Sequence, residues 1–190
     1  MPHCLRQCLH YLLALTLPAL AAAAPPDSLQ PGITRYPQAQ QLWQQQQAQV
    51  VSEVYGNAQE AFISARPENI ANTRVIRSEL AEWPIDGAHS VTLGFFDELL
   101  YQFRLDYLPG HTERLLAALQ QQYGPQPAAA RAPGAWQWQQ GGLQIQLRAL
   151  ADGSCSLSWE HLQLARKVAA SHAEVYAAHL RQRLRIVPAP

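Results

Sequence analysis

Between Trp136 and Trp159 the chain alternates apolar and polar residues through three short runs, WQWQQ, LQIQLR and CSLSW. Period-two alternation sends successive side chains to opposite faces of a strand. One face therefore carries Trp136, Trp138, Leu143, Ile145, Leu147, Cys155, Leu157 and Trp159. The other carries Gln137, Gln139, Gln144, Gln146, Arg148, Ser156, Ser158 and Glu160. Turns are expected at Gly141-Gly142 and Asp152-Gly153, which separate the runs.

The same reading extends upstream. TRVIRSEL, from Thr73, reads as a strand. Val91, Leu93 and Phe95 alternate outbound, and Tyr101, Phe103, Leu105 and Tyr107 alternate on the return. Asp97-Glu98 lie between them as a tight turn in solvent, so this is a hairpin with Leu100 packing over its turn. A helical period governs three other stretches. Leu42, Trp43, Val50, Val54 and Tyr55 share a stripe that predicts a helix from Gln38 to Tyr55, with a second short helical piece through Phe62. Leu115, Leu116, Leu119 and Tyr123 mark a helix with Thr112 as N-cap and Gly124-Pro125 as its stop. Leu164, Val168, Val175 and Leu180 mark a long final helix. Strands joined by tight turns predict an α+β fold, an antiparallel meander sheet with one face covered by the helices.

Three features within this pattern, Phe96-Asp97-Glu98-Leu99-Leu100-Tyr101, then LLAALQQQYGPQ, then the closing strand CSLSWEHL, resemble small exported bacterial proteins of unknown function. In these an F-D-x-x-L-Y hairpin precedes a helix ending in Y-G-x-P and a Trp-containing strand. The resemblance covers residues 91 to 162 and rests on structural punctuation. It implies an exported α+β domain and transfers no catalytic residue.

The N-terminus points the same way. Arg6 precedes an apolar run from Tyr11 to Ala24, which is shorter than the about 20 residues a membrane span needs. Ala21-Ala22-Ala23 suits leader cleavage and Pro25-Pro26 ends the run, so residues 1–24 are expected to be a signal peptide, the alternative being an uncut anchor. Residues 25–37, with four prolines, are expected to be a linker or extended arm, and residues 38–187 a single domain. Cys4 and Cys8 precede the run, so after cleavage only Cys155 remains and no intrachain disulfide can form.

Charge narrows the partners. Without Arg6 the chain has 13 basic and 14 acidic residues, a balance that argues against nucleic acid. Arg181, Arg183 and Arg185 are concentrated at the end of the final helix, where its dipole favours cations.

Candidate chemistry is sparse. Alternation puts Cys155 on the apolar face, where burial raises a thiol's pKa and blunts it as a nucleophile. His172 and His179 are seven residues apart on one helix, about 10.5 Å of rise and too far for one zinc. Asp97-Glu98 and Glu79/Glu82 are the paired carboxylates, and no glycine-rich phosphate loop or nucleophile elbow is present. No cofactor or metal is expected.

The leading expectation is a non-catalytic periplasmic or secreted protein that contacts another envelope protein, with no membrane span once the leader is gone. A second is a binding module holding a small apolar or glycan ligand in a cleft lined by Trp136, Trp138 and Trp159. A third is a hydrolase using His111 or His161 with Asp106.

Overall fold

A computed structural model of the chain describes residues 26–46, 50–56, 72–79, 87–125 and 133–186. The expected leader, the helical piece through Phe62, and Glu82 lie outside the described residues. The elements in chain order are α1 (Tyr36–Gln46), β1 (Val50–Tyr55), β2 (Thr73–Glu79), β3 (Ala88–Phe96), β4 (Leu99–Tyr107), α2 (Thr112–Tyr123), β5 (Ala135–Gln140), β6 (Leu143–Ala149), β7 (Cys155–His161) and α3 (Leu162–Ile186).

The strands make one seven-stranded antiparallel sheet in the order β1-β2-β3-β4-β7-β6-β5. Two meanders thus meet in the middle: β1–β4 run in sequence order, and β5–β7 enter in reverse, so that the last strand pairs with β4. The register confirms the faces read from alternation. Leu93 faces Phe103, Phe103 faces Trp159, and Trp159 faces Ile145, which in turn faces Trp138. All five are buried. We call this the core face. Ala39 and Trp43 of α1 and Leu115 and Leu119 of α2 are buried against it, with α2 lying over β5 and β6. Each large side chain removed from water here contributes on the order of 2–3 kcal/mol.

Several expectations need correction. The helix predicted from Gln38 to Tyr55 stops at Gln46, and Val50–Tyr55 is an edge strand paired with β2. Val50 and Val54 are β-branched and suit a pleated surface, and their four-residue spacing imitates a helical stripe. The linker expected over residues 25–37 is instead packed where it is described: Leu29 is fully buried in the core. Gly32 N donates to Leu100 O and Leu100 N donates to Thr34 O, fastening the segment beside the β3–β4 hairpin. Gly32, at φ 85°, lies so close to His161 that a Cβ there would overlap the imidazole. Leu100, expected over the turn, is in the core opposite Phe95, at a bulge that follows Gly94. Thr112 is not the cap of α2. His111 occupies that position without a side-chain capping bond, and the Thr112 hydroxyl faces the Cys155 thiol.

The helices also do not all cover one face. Leu164 and Val168 of α3 pack with Phe96 and Tyr101 in a separate small cluster on the opposite side of the sheet. The register places Gly94 opposite Gln102, with its side-chain position on that second face. Tyr101 crosses directly above it, and a Cβ on Gly94 would sit 2.8 Å from the ring. The second face is therefore apolar at the hairpin tip and polar beyond it.

Candidate functional site

The polar part of the second face is built by cross-strand register. Arg77, Thr92, Arg104, Ser158, Gln146 and Gln137 form one row across β2, β3, β4, β7, β6 and β5. The neighbouring row carries Ser90, Asp106, Ser156 and Arg148. Near the β2–β4 end these rows border an open concavity of about 330 Å³ that also takes in His89 and Asp152.

Its charges are partly spent. Arg104 Nε donates to Asp106 Oδ1 at 2.8 Å, and its Nη2 approaches the same oxygen at 2.7 Å. Ser90 Oγ donates to Asp106 Oδ2 at 3.0 Å. Both Asp106 oxygens are thus engaged: Oδ1 holds the guanidinium along β4, and Oδ2 is anchored by Ser90 on β3. Asp152 Oδ1 accepts from the Ser154 hydroxyl and from Ser154 N, the latter at 3.0 Å, and this bonding draws its carboxyl below the usual range. Arg77 is exposed and has no ion-pair partner among the described residues. What the concavity offers a visitor is therefore mixed: Arg77, the outer edge of Arg104, the Thr92 hydroxyl and His89 lie on one side, and the Asp152 carboxylate adds a negative charge. The donors suit carboxylates and backbone carbonyls. Along the same face, burial pushes the Glu160 carboxyl above its ordinary value.

The residues singled out from sequence do not converge. Trp159 is fully buried, 5.5 Å from the Phe103 ring, with its Nε1 donating to Tyr123 Oη at 3.5 Å. Trp138 is 2 % exposed and its Nε1 donates to Gly124 O at 2.9 Å, tying β5 to the end of α2. Trp136 is half-buried at the sheet edge. Trp138 and Trp159 are thus inside the core, and of the three indoles Trp136 alone keeps appreciable exposed surface. Cys155 is buried, and desolvation raises its thiol pKa. His111 stacks beside Tyr107 and contacts Arg114 through Nδ1. His161 accepts the Leu164 N–H at 3.4 Å, near the start of α3.

Asp106 pairs with Ser156, five residues from His161 along β7, which is roughly 17 Å of strand. The two side chains also project from opposite faces, so no His161–Asp106 couple exists. Among the described residues no group of three or more His, Cys, Asp or Glu could hold a metal ion, and no helix is long and apolar enough to cross a membrane.

One polar cluster escaped sequence reasoning. Arg74 reaches Glu53 at 3.5 Å and Glu98 at 3.6 Å, and its guanidinium lies 3.6 Å over the Tyr36 ring. Tyr36 Oη donates to Glu53 at 3.2 Å, and burial raises the phenol's pKa. Glu98 is thus engaged with Arg74, contrary to the expected free turn. Four segments far apart in sequence meet here, and no local spacing signals it. One cation shared between two carboxylates and a ring ties α1, β1, β2 and the β3–β4 turn together.

A second concavity, of about 420 Å³, lies between Asp27–Ile33 and the β5–β6 turn, beside His161 and Leu143. Its wall is mainly apolar, and two ionisable side chains, Asp27 and His161, line it. Comparisons of the chain with protein-family models, curated proteins and solved structures found no match.

Proposed function

We propose that this chain is an exported cell-envelope protein that acts without catalysis, by presenting the polar face of its sheet to another protein. The observation that carries this reading is the row Arg77–Thr92–Arg104, with Arg104 fixed by Asp106 and Arg77 exposed and without an ion pair among the described residues. A rigid sheet holds these donors at fixed spacing, which lowers the ordering cost of recognising an acidic or carbonyl-rich surface. The apolar leader run supports the compartment.

The test is affinity capture from envelope fractions with the wild-type chain and with the Arg77→Glu/Arg104→Glu variant. Wild type is expected to enrich a defined protein partner that the variant loses, with both chains equally folded by circular dichroism. Equal enrichment by both, or no enrichment over bare resin, would overturn the reading.

A further inference from the structure

The two edges of the sheet are finished differently. β1 carries a bulge between Val50 and Ser52 and an ionisable residue, Glu53. Bulges and charges are the usual devices that stop an edge from pairing. β5, AWQWQQ, has neither, nor a proline, and its register with β6 is unbroken. Among the described residues nothing pairs with its outer side.

The ladder fixes which backbone groups face outward. Ala149 N donates to Gly134 O at 2.7 Å, so these residues are a hydrogen-bonded pair. Antiparallel ladders alternate hydrogen-bonded and non-bonded pairs. In the observed register Trp136, Trp138 and Gln140 therefore turn their N–H and C=O groups toward β6. Ala135, Gln137 and Gln139 turn theirs outward.

We propose that β5 pairs antiparallel with β5 of a second copy of this chain, about a two-fold axis through Gln137, making one continuous sheet. The strand is complementary to itself in this register. Gln137 meets Gln137 of the second copy, and Ala135 meets Gln139 of the second copy, each pair exchanging two backbone hydrogen bonds. Every outward backbone group of β5 is then used. The same register sets Trp136 opposite Trp138 of the second copy on the core face, in the closer non-bonded spacing, and covers the half-buried indole. The paired Gln137 amides can donate and accept across the axis. No like charges meet, because the strand has none. A one-residue slip would set core face against polar face, and a two-residue slip, though it matches the faces, would leave the outward groups of Ala135 or Gln139 without a β5 partner. This inference goes beyond the contact reading above, since it places a second copy at the sheet edge, apart from whatever Arg77 and Arg104 contact.

Sedimentation velocity on the full chain, purified in the form the cell makes, tests it with Gln137→Pro and Gln137→Ala beside wild type. Proline at 137 removes an outward N–H and leaves the β6 ladder intact. Wild type is expected at twice the chain mass, Gln137→Ala likewise. Gln137→Pro is expected to self-associate at least about thirtyfold more weakly, with unchanged circular dichroism. A monomeric wild type, a mass that climbs past the dimer with concentration, or a folded Gln137→Pro dimer of wild-type affinity would overturn the proposal. Should Gln137→Pro fail to fold, Gln137→Cys decides instead, since the paired Cα atoms would lie about 5.5 Å apart, within disulfide reach. A disulfide-linked dimer is expected on mild oxidation, and its absence overturns the pairing. These outcomes are separate from the capture experiment: losing the dimer leaves capture by Arg77 and Arg104 standing, and losing capture leaves the dimer standing.

Discussion

On the core face Trp159 has no exposed surface, with the Phe103 ring at 5.5 Å and Tyr123 at its indole nitrogen. One residue earlier in β7, Ser158 stands between Arg104 and Gln146 on the polar face, where it is partly exposed. The backbone is shared, so the difference lies in what each face must achieve. The core face must exclude water. The polar face is relieved of that burden except at the β3–β4 tip, where α3 covers Phe96 and Tyr101. Stability is thereby placed on one side of the sheet, and the recognition proposed above would use the other.

Substitutions on the two faces should separate accordingly. Trp159→Ala should cost about 3–5 kcal/mol in urea unfolding, while Ser158→Ala should stay within about 0.5 kcal/mol. Equal costs would dissolve the distinction. The apolar tip of the second face is an exception that can be isolated. Gly94→Ala pushes a Cβ against the Tyr101 ring and should cost about 1–3 kcal/mol. In a double-mutant cycle Tyr101→Ala should remove much of that penalty.

Farther along the polar face, Asp106→Asn weakens the hold on Arg104, which is itself 43 % exposed. Solvent screening limits the stability cost to about 1 kcal/mol or less. Partner capture should fall more than stability does, because the guanidinium is freed to wander.

The smallest effect is a pH dependence. Burial raises the folded-state pKa of Glu160, so the folded chain holds that proton more tightly than the unfolded chain. The stability linked to it is fully present below the unfolded-state pKa and is lost as pH rises through the folded-state value. Thermal melts of Glu160→Gln should lack this decline and show a higher midpoint than wild type at neutral pH.

The core face was legible because strands β5–β7 alternate without interruption. The apolar tip of the second face also had a signal in the doublets Phe95-Phe96 and Leu99-Leu100 followed by Tyr101, since adjacent apolar residues in a strand mean both faces are covered. β1 was hidden by Val50 and Val54, whose spacing fits a helix as well as a strand. Leu29 was hidden by its prolines, because one buried residue in a turn-rich segment leaves no period to find. Arg77, Thr92 and Arg104 were each visible as outward residues of separate strands. Their continuation to Ser158 depends on β4 pairing with β7, which sequence order gives no reason to expect. The Arg74 cluster depends on tertiary approach alone.

Cys155 and Ser156 are neighbours in β7 that point to opposite faces, the first buried and the second partly exposed. Thiol labelling of the native chain, followed by peptide mass, should find Cys155 unreacted until denaturant is added. The Cys155→Ala/Ser156→Cys variant should label at residue 156 in the folded state. Rapid, complete modification of native Cys155, or protection at position 156 equal to that at 155, would contradict the division of the sheet into a sealed face and an open one.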